Sequence, residues 1–121
     1  MDKNRARDGR DFLPLSPAAL HMLLALAAEA LHGYGIMQEI ARQSEGRYKI
    51  GPGTLYDNLK KLLRQGLVEE TESRAAGDDP RRRYYRLSGL GRGVLAAEAE
   101  RLDGVVRAAR AHLRLLKPRR A

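Results

Sequence analysis

Residues 51–68 have the sequence GPGTLYDNLKKLLRQGLV, and this stretch decides the fold. It opens with glycine and proline, which mark a helix start, and it closes at Gly66, because glycine tolerates the positive φ of a helix end. The apolar residues between these points recur at helical spacing and are Leu55, Leu59, Leu62 and Leu63. The stretch therefore predicts an amphipathic helix that buries its leucines and leads into a strand.

The opposite side of this helix is polar. At about 100° per residue it presents Gly53, Asp57, Lys60, Lys61 and Arg64, with Thr54 and Asn58 on its flanks. Short hydrogen-bonding side chains at a helix amino end can contact base edges or phosphates, and lysines and arginines further along contact phosphates. A face that is merely solvated is the alternative interpretation.

Two shorter helices are predicted upstream. Ser16 and Pro17 form a helix start, with a hydroxyl cap and a proline at the first position, and the apolar spacing that follows predicts helix one as far as Leu31. A second amphipathic segment follows the glycine-rich residues 32–35 and ends near Gly46.

A β-hairpin is predicted downstream, with strands at 67–73 and 83–88 around the turn-rich residues 75–80. Arginines stand at and beside its tip, namely Arg81, Arg82, Arg83 and Arg86. Clustered arginines repel one another unless an anion is near, so the hairpin is predicted to contact a polyanion. Alternatively, weak surface pairs across the hairpin neutralise them, with acidic partners at Glu69, Glu70, Glu72, Asp78 and Asp79.

The last predicted helix begins at Ser88 and ends near Leu116, before Pro118. Its heptad-spaced stripe consists of Leu95, Ala99, Leu102, Val106, Ala109, Leu113 and Leu116. A helix of roughly 25 residues is about 38 Å long, which exceeds what so small a domain can cover. The stripe therefore predicts a dimerisation helix, with burial against the chain's own domain as the alternative.

Composition supports one small basic domain. The 121 residues include 23 lysines and arginines against 15 acidic residues, for a net charge of +8, which suits a polyanion partner. The chain has no cysteine and no apolar stretch long enough to span a membrane, which predicts a cytoplasmic protein. Its three histidines lie far apart and its glycine patterns match no nucleotide loop, so no enzyme, metal or cofactor is predicted.

The predicted fold class is mainly α with a small β-hairpin, a winged helix-turn-helix followed by a long carboxyl-terminal dimerisation helix. The predicted boundaries are a flexible charged arm at 1–12, the winged domain at 13–88, the dimerisation helix at 89–117 and a basic tail at 118–121.

The motifs together resemble those of the PadR family of transcriptional regulators, in its short branch with a single carboxyl-terminal helix. The resemblance rests on LHGYGI at 31–36, GPGTLY at 51–56, LKKL at 59–62, GLV at 66–68 and RRYYRLS at 82–88. It implies a DNA-binding homodimer that usually represses nearby genes and in some members responds to a small lipophilic or aromatic effector. Members that hold flat drugs between protomers use a tryptophan, and this chain has none; many members also have a proline where Asp57 stands.

Sequence-specific binding to double-stranded DNA, as a repressor and a homodimer, is therefore the predicted function. The residues predicted to contact DNA are Tyr34, Lys49, Gly53, Thr54, Tyr56, Asp57, Asn58, Lys61, Arg64, Arg81, Arg82 and Arg83. A winged-helix module that binds an acidic protein and never touches DNA is the alternative, because fold alone does not decide function.

Overall fold

The computed structural model describes residues 9–72 and 81–116, except the side chains of Leu115 and Leu116. The elements in chain order are a 3-10 turn at Gly9–Phe12, α1 at Pro17–Ala25, β1 at Leu31–His32, α2 at Gly33–Gln43, α3 at Pro52–Arg64, β2 at Val68–Thr71, β3 at Tyr84–Leu87 and α4 at Gly89–Leu116. The predicted fold class is confirmed. Residues 1–8 of the predicted arm, the turn at 75–80 and the tail at 118–121 lie outside the described residues.

Three helices and the sheet enclose one aliphatic core. Its buried side chains come from α1 to α4, from β2 and β3 and from the residues next to them, and are Met22, Leu23, Ala25, Leu26, Ile36, Ile40, Leu55, Leu59, Leu62, Leu67, Val68, Tyr85, Leu87 and Val94. The predicted leucine stripe of α3 faces this core, with Leu63 only partly buried at its edge. Since α3 contributes just these residues to the core, its opposite side is left to solvent.

The predicted end of helix one was wrong. The helix begins as expected, with the Ser16 hydroxyl accepting from the Ala19 amide at 3.1 Å, but it ends at Ala25 instead of Leu31. Leu31 enters the sheet and pairs with Tyr85. Pairing with a distant strand therefore overrides the helix propensity of the alanine-rich residues 26–30.

The predicted two-stranded hairpin is part of a three-stranded antiparallel sheet in the order β1-β3-β2. Strand β3 lies in the centre, where Tyr84 and Tyr85 pair with β1 on one side and with β2 on the other. The short β1 runs directly into α2. The hairpin of β2 and β3, together with residues 81–83, is the wing. The sheet consequently joins the wing to the start of α2.

The Ser88 side chain ties the sheet to α4. Its hydroxyl donates to the Gly66 carbonyl at 2.6 Å and accepts from the Gly91 amide at 2.9 Å, so it caps α4 and holds the start of β2. A side chain at position 91 would overlap the Leu67 carbonyl, so α4 lies against the backbone there. Gly66 has φ of +77°, as its predicted role at the end of α3 requires.

The segment before α1 packs on α4. Residues Gly9–Phe12, which the sequence assigned to a flexible arm, form the 3-10 turn in contact with α4. The Glu98 side chain, only 1% exposed, accepts from the Leu15 amide at 2.9 Å and from Arg101 at 2.6 Å and 3.0 Å. The Arg101 hydrogen bonds, aided by the Leu15 amide, hold the pKa of Glu98 below its ordinary value against the opposing effect of burial.

Candidate nucleic-acid interface

The outward side of α3 is polar and exposed. Its exposed residues are Gly53, Thr54, Asp57, Lys60, Lys61 and Arg64. Within the described part of the chain, Asp57 and the three basic side chains make no hydrogen bond or ion pair with other residues. Their chemistry is therefore available to a partner.

The start of α3 carries no side-chain cap. Gly51 occupies the cap position, Pro52 follows, and the Leu55 amide is the first to bond back into the helix, donating to the Gly51 carbonyl at 2.9 Å. Side chains added at Gly51 or Gly53 would meet nothing within 4 Å. The fold itself does not require glycine at these two positions.

Tyr56 lies on the flank of α3 that faces the wing. It is 50% exposed, and Tyr34 on the first turn of α2 is 62% exposed. A groove of about 390 Å³ brings the two tyrosines together with the wing. Its lining is His32, Gly33, Tyr34, Tyr56, Arg81, Arg82, Arg83 and Tyr85. The structure thus places five of the predicted DNA-contacting residues around one groove.

Gly33 sets the position of Tyr56. A methyl group at position 33 would overlap the Tyr56 hydroxyl and would lie 3.3 Å from Leu55 Cδ2. Glycine at position 33 therefore leaves the space that the phenol occupies, and a larger residue would displace the Tyr56 ring.

His32 couples α2 to the wing. Its Nδ1 accepts from the Gly35 amide at 3.1 Å and so caps α2, while its ring meets Tyr84 edge-on with centroids 5.3 Å apart. Sequence reasoning missed both His32 and Gly33 as parts of this groove. Histidine is not among the favoured capping residues, so only the contact with Tyr84 reveals its place.

The arginines of the wing are partly engaged with carboxylates. Arg83 pairs with Glu70 at 3.2 Å and Arg86 with Glu69 at 3.1 Å across the β2–β3 ladder, and all four side chains are largely exposed. The alternative of cross-hairpin pairing is therefore correct for these two arginines. Exposed pairs of this kind are weak and do not prevent exchange for a phosphate.

Tyr85 forms the buried wall of the groove. Burial raises the pKa of its phenol above the ordinary value, and the nearby negative charge of Glu70 acts in the same direction. Its hydroxyl is therefore a neutral hydrogen-bond donor and acceptor at physiological pH.

Asn58 and Lys49 lie away from this groove. The Asn58 amide donates to the Thr54 carbonyl at 2.8 Å and lines a second groove, of about 220 Å³, beside the segment that precedes α1. Lys49 is exposed in the loop between α2 and α3, next to Tyr48, whose ring stacks on His21 at 4.2 Å. Asn58 thus faces the flank opposite Tyr56, and its amide is occupied by its own helix.

The predicted dimerisation stripe begins at the edge of the core, where Leu95 packs, and its later residues lie on the outer side of α4. Val94 and Glu98 face the chain's own domain, whereas Val106 is 42% exposed and Leu113 is 66% exposed. The amino-terminal part of the stripe forms an apolar groove of about 410 Å³ with α1. The groove is lined by Leu20, Leu24, Arg92, Leu95, Ala96, Ala99 and Leu102. Of the predicted stripe, Leu95 and Leu102 are half-buried, Ala109 is exposed and the Leu116 side chain lies outside the described residues.

Residues 9–72 and 81–116 include no group of three or more His, Cys, Asp or Glu side chains placed to hold a metal ion. In the same residues, no helix combines the length and apolar character that a membrane crossing requires.

Comparison with known families gives one clear match. Residues 22–97 match the model described as the transcriptional regulator PadR-like family. The chain is also 35% identical over 88 residues to Transcriptional regulator Rv3488 of Mycobacterium tuberculosis, an alignment that covers 73% of this chain and 78% of the relative.

Solved structures of the same family share the fold. A PadR family transcription regulator from Clostridium difficile R20291 superposes with a TM-score of 0.66 at 23% identity, covering 81% of this chain and 99% of that one. Bacillus subtilis PadR, solved in complex with operator DNA, superposes with a TM-score of 0.58 at 20% identity, covering 69% of this chain and 47% of that one.

Proposed function

Since the chain belongs to the PadR-like family of transcriptional regulators, we propose that it binds double-stranded DNA in a sequence-specific manner as a homodimer and represses transcription. Members of this family are transcription regulators and not enzymes, so the prediction that the chain has no catalytic function is confirmed by its family.

One observation carries the DNA-binding proposal: the start of α2, the flank of α3 and the wing meet at one groove beside the outward side of α3. On the outward side, Lys60, Lys61 and Arg64 are exposed and make no hydrogen bond or ion pair with the other residues that the structure describes. A B-DNA major groove about 12 Å wide admits an α-helix. With α3 in that groove, the wing arginines would lie near the adjacent phosphates.

The amino end of α3 suits close approach to DNA. Its first-turn amides point out of the helix, its macrodipole favours an anion, and no side chain of Gly51 or Gly53 stands in the way. Tyr34, at the amino end of α2, adds a phenol that can donate to a phosphate. Bacillus subtilis PadR, which has the same fold, was solved in complex with operator DNA, and this supports DNA as the partner.

The homodimer proposal rests on α4. The exposed part of the stripe, from Val106 to Leu113, makes no contribution to the chain's own core, which α4 contacts through Val94. The groove between α1 and α4 is lined almost entirely by apolar groups. A second copy would cover both surfaces, and a twofold axis would supply two α3 helices for half-sites about one helical turn apart.

Repression follows from occupancy in this proposal. A dimer with twice the chain's net charge of +8 associates with a promoter by releasing counterions, and the bound protein blocks polymerase. A small lipophilic effector would bind in the apolar groove between α1 and α4, where it would lie between the two protomers.

The test is the salt dependence of duplex binding, measured by fluorescence anisotropy with the full chain. Affinity should fall steeply with salt, with a log–log slope of about 0.9 per phosphate contacted. Replacing Lys60, Lys61 and Arg64 together by alanine should reduce the slope by about one for each side chain that contacts a phosphate.

The matched control removes the same charge from α4, by changing Arg107, Arg110 and Arg114 to alanine. This variant should keep most of the wild-type slope. Equal losses in the two variants would show that net charge alone drives binding, and no binding by the wild-type chain would favour the module that binds an acidic protein.

A further inference from the structure

Asp57 is a carboxylate in the middle of a basic surface. It lies on the outward side of α3, one turn after Gly53 and one turn before Lys61. A negative charge on a surface that meets DNA is repelled by the phosphates unless it finds a hydrogen-bond donor there.

The described contacts of the fold show no structural role for the Asp57 carboxylate. Its side chain is exposed and, among the residues that the structure describes, it makes no hydrogen bond or ion pair, although Lys60 and Lys61 are at the helical spacings that permit one. A carboxylate in the first turn of a helix is stabilised by the helix dipole, but Asp57 lies beyond the first turn of α3. An internal structural role therefore does not account for it.

The chemistry of base edges identifies a partner. An ionised carboxylate only accepts hydrogen bonds. In the major groove, guanine presents two acceptors and thymine one, whereas cytosine presents the N4 amino group as a donor with no acceptor on the same base. Adenine offers its N6 amino group beside the N7 acceptor, which would face the second carboxylate oxygen.

We infer that Asp57 accepts a hydrogen bond from the cytosine N4 amino group and thereby selects one C·G base pair in each half-site. The inference rests on the proposed function and specifies its sequence preference. Its geometry is favourable because the aspartate side chain is short and the preceding turn, at Gly53, carries no side chain that would hold α3 away from the base edges.

The experiment is selection from random duplexes with the wild-type full chain and with Asp57→Ala and Asp57→Asn. The wild-type consensus should contain a C·G pair at one position of each half-site, with discrimination of about tenfold or more against other pairs. Asp57→Ala should lose preference at that position alone. Asp57→Asn should move it to A·T, because an asparagine amide matches the N6 and N7 groups of adenine.

Glu100→Ala is the matched control, since Glu100 is exposed on α4 and its loss changes the net charge equally. It should leave the consensus unchanged. Circular dichroism should show native helicity for all variants, because both side chains are exposed.

The outcomes separate the two proposals. If Asp57→Ala binds duplexes with the wild-type consensus intact, the carboxylate reads no base and the inference is overturned while DNA binding stands. A wild-type consensus without a required C·G pair also overturns it. Failure of the wild-type chain to bind any duplex would instead overturn the proposed function.

Discussion

Gly53→Ala should stabilise the protein and weaken its binding to DNA. An added methyl group at this position meets nothing within 4 Å, and the backbone there is helical, so the fold tolerates alanine. Alanine is favoured over glycine in a helix by roughly 0.5–1 kcal/mol, mainly because glycine loses more backbone entropy on folding. For a chain of this size that gain raises the melting temperature by about 2–6 °C.

The loss of affinity has a separate origin. If α3 enters the major groove with its amino end against the duplex, the methyl group occupies the space between the first-turn amides and the DNA. Loss of one hydrogen bond from such an amide to a phosphate costs about 1.5 kcal/mol or more, which is about a tenfold rise in Kd. Stability and affinity should therefore change in opposite directions.

Gly93→Ala is the control for this pair of measurements. Gly93 lies within α4, is exposed and would also accept a methyl group without contact. It should raise the melting temperature to a similar extent and leave duplex affinity unchanged. Thermal unfolding by circular dichroism and anisotropy titrations on one duplex suffice, and wild-type affinity for Gly53→Ala would refute close approach at the start of α3.

Three further predictions address the core, the groove and the dimer. Glu98→Gln should cost about 1–3 kcal/mol at neutral pH by weakening the buried hydrogen bonds from Arg101. Because the folded pKa of Glu98 is lowered, this stabilisation is present above its ordinary value of 4.5 and is lost as pH falls through the lowered pKa; a melting-temperature gap that stays constant down to pH 3 would contradict it. Gly33→Ala should displace the Tyr56 ring and weaken duplex binding several-fold, whereas NMR chemical shifts of the Tyr56 ring and an affinity like those of the wild type would count against the packing described. Val106→Glu should raise the dimer dissociation constant by about 100-fold or more, because it places like charges in the paired stripes; an unaltered sedimentation coefficient would exclude α4 as the interface.

Local chemistry made much of the fold predictable. Ser16 as a cap, Pro52 at a helix start and Gly66 with positive φ each act within one turn, and the leucine stripe of α3 faces the core as its spacing predicts. These features depend on residues close in sequence. The apolar period and its boundary residues therefore sufficed for α3 and for the start of α4.

Contacts between distant residues were not predictable in the same way. Helix one stops at Ala25 because Leu31 pairs with Tyr85, and no signal within residues 26–30 indicates that choice. Glu98 belongs to a charged stretch of α4, and such a stretch predicts an exposed side chain. Its carboxylate is instead buried, and it accepts a hydrogen bond from Leu15, which is 83 residues away. Such positions are set by tertiary packing, which the sequence pattern does not encode locally.

The candidate site shows the same division. The outward residues of α3 follow from helical geometry, and the structure exposes them as predicted. The strand register decides which arginines of the wing pair with carboxylates, because it places Arg86 opposite Glu69. The groove that Asn58 lines depends on how the segment before α1 packs beside α3, whereas the bond from its amide to the Thr54 carbonyl is local to the helix.

Amide chemical-shift mapping during titration of the full chain with a selected duplex tests the central claim most directly. The largest shifts are expected at Tyr34, at Gly53 to Arg64 on α3 and at the arginines of the wing, with the α4 stripe unperturbed. Shifts confined to α4, or an α3 whose amides stay unchanged while DNA binds, would contradict it.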